Sequence, residues 1–176
     1  MKIYISGGCK NGKSYHAQRC AKELARISGT PLYYIATMIP HDEEDDERIK
    51  RHIKDREGWG FETVEQGRDL KKILEEHPAE GTYLLDSVTA LLSNEMFSEE
   101  GIDEESYIKV CEDIVYVASQ VENIVIVSDY IYSDANRYEE LTESYRKGLG
   151  YIEVALGEVC DRVMEVAYGQ VLTYKR

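Results

Sequence analysis

Residues 7–14 read Gly7-Gly8-Cys9-Lys10-Asn11-Gly12-Lys13-Ser14, which fits the pattern G-x-x-x-x-G-K-[ST]. No other stretch constrains the fold as strongly. The pattern needs a strand before it and a helix after it. The glycines then let the backbone turn its N–H groups inward around phosphate oxygens, and the helix directs its positive end at the same anion. Chance alone yields the pattern in roughly one chain in a hundred of this length. The flanks agree with the motif. Lys2–Ser6 is a short apolar run that reads as a strand. Lys13–Ile27 places Ala17, Cys20, Ala21, Leu24 and Ile27 on one helical face. Within the loop, Lys13 is expected to reach the β- and γ-phosphates and Ser14 to ligate Mg²⁺.

The rest of the chain alternates in the same way. Leu32–Ala36, Tyr83–Asp86 and Ile124–Val127 read as buried strands, and helices are expected over Glu43–Arg56, after Asp86 through about Phe97, and over Glu104–Val121. A long helix carries Leu141, Tyr145, Leu149, Ile152, Leu156, Val159 and Val163 on one face, and Glu165–Tyr174 closes as a strand pair around Gly169. Strand–helix alternation of this kind predicts a three-layer α/β domain over residues 1–176, with a mostly parallel central sheet. Ligands of such sheets bind at the carboxyl ends of strands. Asp86 ends one buried strand and is expected to face the Mg²⁺, with helix capping as its other use; Asp129 ends another and is the runner-up.

Composition narrows the partners. The net charge is −13, a poor basis for non-specific binding of nucleic acid or anionic lipid. No apolar run approaches the length of a membrane span, and the first residues lack the pattern of a signal peptide. Cys9, Cys20, Cys111 and Cys160 form no C-x-x-C pair, so reduced thiols and a cytoplasmic location are expected.

A second informative stretch is 42–56. Its acids precede its bases, which suits a helix dipole and is compatible with a plain solvated helix. Yet Arg48, His52 and Arg56 recur at intervals of four and share one face. Two guanidiniums there could hold a phosphate while the imidazole between them attacks it.

Taken together, the residues resemble the bifunctional adenosylcobinamide kinase / adenosylcobinamide-phosphate guanylyltransferase family of cobalamin biosynthesis. The resemblance rests on Gly7–Ser14, then Tyr34-Ile35-Ala36-Thr37, the acids Asp42–Glu44, Arg48-Ile49, His52 and Arg56. It continues through Phe61 and Thr63-Val64-Glu65, which resemble a W-x-T-x-E stretch, and through Leu84-Leu85-Asp86 and Asn94. It is specific over about the first hundred residues. It implies a P-loop NTPase of the RecA-like branch, a homotrimer, Mg²⁺, ATP or GTP as substrates, and a corrinoid small molecule as acceptor. It further implies that His52 takes GMP from GTP. Gly7, Gly8, Cys9, Lys10, Asn11, Gly12, Lys13, Ser14, Arg48, Arg56, Glu65 and Asp86 would then surround the nucleotide. Asp86 stands where the family has a glutamate.

The final third departs from the family pattern. T-N-E-V-G becomes Ser128-Asp129-Tyr130-Ile131-Tyr132, an arginine becomes Glu143, and G-x-x-N-Q becomes Gly150-Tyr151-Ile152-Glu153-Val154. The rival readings are a divergent P-loop phosphotransferase that has lost the guanylyl step and a nucleotide-binding subunit without catalysis.

Overall fold

A computed structural model describes all 176 residues except Tyr132, Ser133 and Ala135, with the side chain of Asp55 also outside the description. Two members of the loop expected after Val127, Tyr132 and Ser133, therefore lie outside the described residues.

The chain runs β1 (Lys2–Gly7), α1 (Lys13–Ser28), β2 (Leu32–Ala36), α2 (Glu43–Asp55), β3 (Glu62–Glu65), a 3₁₀ turn (Leu70–Lys72), α3 (Ile73–Glu76), β4 (Thr82–Asp86) and α4 (Val88–Met96). It continues through the short hairpin β5 (Phe97–Ser98) and β6 (Gly101–Ile102), then α5 (Ser106–Gln120), β7 (Asn123–Asp129), α6 (Glu140–Val159), β8 (Arg162–Ala167) and β9 (Gln170–Lys175). Seven strands form one sheet in the order β3-β2-β4-β7-β1-β8-β9. All neighbours are parallel except the closing pair β8–β9. This is the mostly parallel three-layer α/β fold that the alternation predicts, with the phosphate-loop motif between β1 and α1.

Why these strands sit in the centre follows from their side chains. Ile124–Val127, Leu84 and Leu85 are fully buried, as a strand covered on both faces requires. Alternation within β1 divides the two layers. Ile3 and Ile5 pack with Ala17 and Ala21 of α1, whereas Tyr4 packs on the opposite face with residues of α4, α5 and α6. Small residues on the inner face of α1 let that helix lie close to the sheet.

Four details differ from the sequence reading. Val163 belongs to β8 rather than to the face of the long helix, because Cys160 is extended (φ −77°, ψ 143°) and ends α6 at Val159. Phe97 starts a strand instead of closing α4. Arg56 caps α2 and lies beyond its last helical residue. β3 is a strand with one buried residue, Val64, too little for alternation to reveal.

Candidate active site

β1 delivers the chain to the loop, and two glycines make the turn possible. A Cβ at Gly7 would stand 2.6 Å from the carbonyl oxygen of Val166, so no larger residue fits against β8. Gly12 has φ +90°, a conformation that favours glycine. Asn11 fastens the loop from within: its amide donates to the Val166 carbonyl, and its Oδ1 accepts from the Lys13 N–H at 3.2 Å. Gly12 brings no side-chain cap to α1, so an anion can take up free N–H groups of its first turn.

Lys13 is buried, with its ammonium 2.5 Å from Asp129 Oδ1 and 3.3 Å from the Gly8 carbonyl. Asp129 Oδ2 accepts from Thr89 Oγ1 at 3.0 Å. Since the Thr89 proton is committed there, Ser87 Oγ, 2.9 Å away, donates to Thr89. Tyr145 on α6 steadies this segment by donating to the Thr89 carbonyl at 2.9 Å, and burial raises its phenol well above the usual range.

The second carboxylate, Asp86, ends β4. It accepts from the Tyr34 hydroxyl at 2.9 Å. Burial first, and the Asp86 charge second, raise the Tyr34 phenol well above its ordinary value, so it stays a donor. The Arg56 guanidinium lies over the Tyr34 ring at 3.8 Å from its centroid and donates to Thr63 Oγ1 at 3.3 Å. Arg56, Tyr34 and Asp86 thus form a continuous stack from the end of α2 to the end of β4.

These parts surround one cavity of about 1060 Å³. Cys9, Lys10, Asn11, Gly12, Lys13 and Ser14 line it from the loop, Arg48, His52 and Arg56 from α2 and its cap, Glu65 from β3, and Asp86 and Asp129 from the strand ends. Gly7 and Gly8 stand behind the lining and shape the turn. The sequence spacing therefore gathers the expected residues in one place, although not in equal states. Arg48 is exposed, and its ion pair with Asp45 Oδ1 is long, at 4.0 Å, so an anion in the cavity can compete for it. Arg56 is buried and engaged with Tyr34 and Thr63. His52 is half-buried at the cavity wall.

Three contributions escaped the sequence reading. Tyr34 was legible only as part of a matched stretch, Thr89 carried no signal, and the attachment of Asn11 to β8 depends on a strand far away in the chain. The departures in the final third also find places. Glu143 pairs with Arg146 at 2.8 Å, neutralising the base beside it. Glu153 accepts from Ser128 Oγ at 2.6 Å behind the strand end. Burial, followed by the Asp129 charge, raises the Glu153 carboxyl.

Mg²⁺ suits this donor set. It takes one or two carboxylates plus phosphate oxygens and water, and the cavity offers a hydroxyl at Ser14 with carboxylates at Asp86 and Asp129. Among the described residues no group of three His, Cys, Asp or Glu could enclose a metal, and an ion shared with phosphates needs none. Among the described residues no helix is long and apolar enough to cross a membrane.

Known proteins place the geometry in context. The chain is 28% identical over 179 residues to the bifunctional adenosylcobalamin biosynthesis protein CobP of Pseudomonas aeruginosa, covering 99% of this chain and 98% of that one. It is 33% identical over 104 residues to the bifunctional adenosylcobalamin biosynthesis protein CobU of Escherichia coli, covering 57% of this chain and 53% of that one. Among solved structures, the flagellar accessory protein FlaH of Methanocaldococcus jannaschii superposes with a TM-score of 0.53 at 15% identity, over 99% of this chain and 77% of FlaH, a likeness of fold. The model of the cobinamide kinase / cobinamide phosphate guanyltransferase family matches residues 3–174, and the chain belongs to that family of cobalamin-biosynthesis enzymes.

Proposed function

We propose that this protein carries out both reactions of its family at the one cavity. In the first, the hydroxyl of the aminopropanol arm of adenosylcobinamide attacks the γ-phosphorus of ATP or GTP. An O–P bond forms, the nucleoside diphosphate leaves, and the hydroxyl proton passes to a base. In the second, the His52 imidazole attacks the α-phosphorus of GTP, forming a P–N bond and releasing pyrophosphate. A phosphate oxygen of the corrinoid product then displaces the imidazole. The P–N bond breaks, His52 is restored and adenosylcobinamide-GDP forms. Imidazole suits this exchange because it is both a good nucleophile and, once protonated, a good leaving group.

The observation that carries the reading is the shared cavity: Lys13 and the first turn of α1 line it on one side, and His52 and Arg48 on the other. Lys13 and the α1 N–H groups hold the phosphate chain, and Arg48 balances charge near the imidazole. Mg²⁺, held by Ser14 and Asp86, would supply charge neutralisation to the phosphates. The Arg56–Tyr34–Asp86 stack fixes the β4 carboxylate relative to the end of α2. Residues 1–176 act as one domain, in the cytoplasm, and the family resemblance supports a homotrimer.

The test is product analysis. Adenosylcobinamide incubated with the protein, GTP and Mg²⁺ is expected to give first the phosphate and then adenosylcobinamide-GDP. Absence of both products would contradict the proposal. Formation of the phosphate alone would favour the reading without a guanylyl step, which the acidic replacements Asp129 and Glu153 around the strand end make worth separating.

A further inference from the structure

Beyond the phosphate end, the cavity carries a feature that the proposed reactions have not used. Tyr15 directly follows Ser14 on α1, lines the cavity and is 60% exposed. It is braced from the side. The Trp59 ring meets it edge-to-face at a centroid distance of 5.5 Å and an angle of 89°. Trp59 is itself fixed: Lys22 Nζ lies 5.3 Å from its centroid, and its backbone N–H donates to the Arg56 carbonyl at 3.1 Å. An edge-to-face contact occupies at most one face of the tyrosine, and the 60% exposure of Tyr15 leaves ring surface for a flat partner.

We infer that Tyr15, braced by Trp59, is the stacking platform for the purine base of the bound nucleoside triphosphate. The inference rests on the phosphate-loop reading and deepens it. Phosphates gripped by residues 7–14 leave the nucleoside at the outer end of the cavity. For His52 to reach the α-phosphorus while pyrophosphate departs toward Lys13, the nucleoside must lie on the α2 side of the loop. Tyr15 flanks that passage, and Trp59, bonded to the residue that caps α2, links the platform to the helix bearing His52. Stacking recognises any purine through its π-face, so the platform serves ATP and GTP alike.

The experiment separates base from phosphate. Binding of GTP, ATP and inorganic tripolyphosphate, each with Mg²⁺, is measured by calorimetry on the full chain and on Tyr15→Ala, Tyr15→Leu and Tyr15→Phe. Tyr15→Ala is expected to weaken both nucleotides about tenfold and tripolyphosphate less than twofold, with Tyr15→Leu intermediate and Tyr15→Phe near the parent. Because Trp59 is the chain's single tryptophan, its fluorescence in the unsubstituted protein gives a second reading. It should change with GTP and not with tripolyphosphate. Equal weakening of GTP and tripolyphosphate, an unchanged GTP affinity in Tyr15→Ala, or identical fluorescence responses to the two ligands would overturn the inference. Failure of the unsubstituted protein to bind either ligand would instead bring down the phosphate-loop reading beneath it.

Discussion

Two helices face each other across the cavity, and they are held in opposite ways. α1 buries Ala17, Ala21 and Ala25, and two of these belong to the core shared with β1, β4 and β7. Among the described residues, α2 contributes none to either hydrophobic core; Ile53 is exposed, and the helix surface is charged. What holds α2 is polar and terminal. Asp42 caps its start by accepting from the Asp45 N–H at 2.9 Å, and the buried Arg56 fastens its end to Tyr34 and Thr63. The phosphate end is therefore built on a helix packed into the core, and the imidazole rides on an element whose local stability rests on polar contacts at its ends. That division fits the proposed two-step reaction, in which the phosphates would need a fixed cradle and His52 would serve first GTP and then the corrinoid phosphate.

The largest expected effect breaks the fixed side. Lys13→Ala should lower turnover by about 10²–10³-fold, because a donor aimed at the phosphates is lost. The thermal midpoint should hold, since the freed Asp129 carboxylate is one-third exposed and can be solvated. Steady-state kinetics and a melting curve check both halves. Next comes the metal. Asp86→Asn should raise the Mg²⁺ concentration for half-maximal turnover about tenfold, and Asp129→Asn by less, because Asp129 already faces Lys13. A larger effect at Asp129 would exchange the two carboxylates' roles.

The α2 side is broken at Arg56. Arg56→Ala should cost about 1–2 kcal/mol from the lost stack and hydrogen bond. It should also speed amide exchange in α2 while leaving α1 protected. Lysine cannot replace the planar guanidinium over Tyr34, so Arg56→Lys should behave similarly. Unchanged exchange in α2 would refute the contrast between the helices.

The smallest effect concerns the frame behind Asp129. Burial first, and the Asp129 charge after it, raise the Glu153 carboxyl above its ordinary value in the folded state. The folded state therefore binds its proton more tightly than the unfolded state, and stability declines as pH rises from the unfolded pKa through the folded one. Glu153→Gln keeps an acceptor for Ser128 and removes the charge. It should raise the melting midpoint by about 1–3 °C at pH 7 and by nothing measurable near pH 4.

How much of this was visible in the residues alone differs between the same two regions. The loop, its strand and α1 were legible because phosphate binding demands glycines, a lysine and a hydroxyl at fixed spacing, and Ala17 and Ala21 repeat at helical intervals. The shared face of Arg48 and His52 was legible for the same reason. The use of Arg56 was not. Its partner Tyr34 lies on β2, and a guanidinium that stacks on a ring has the same spacing as one that grips a phosphate. Lys13 and Asp129 meet only because β1 and β7 are neighbours in the sheet, which alternation does not specify. Val163 continued the helical spacing by accident, and only the extended backbone at Cys160 separates it from α6.

In the proposed reaction one nucleotide spans both sides, its phosphates at Lys13 and its α-phosphorus within reach of His52. Incubation with α-labelled GTP and Mg²⁺, followed by peptide mapping, tests this directly. The account predicts a GMP adduct on the peptide containing His52, labile in acid and stable in alkali, absent from His52→Ala and strongly reduced in Lys13→Ala. A protein that binds GTP yet yields no adduct, or an adduct that persists in His52→Ala, would contradict it.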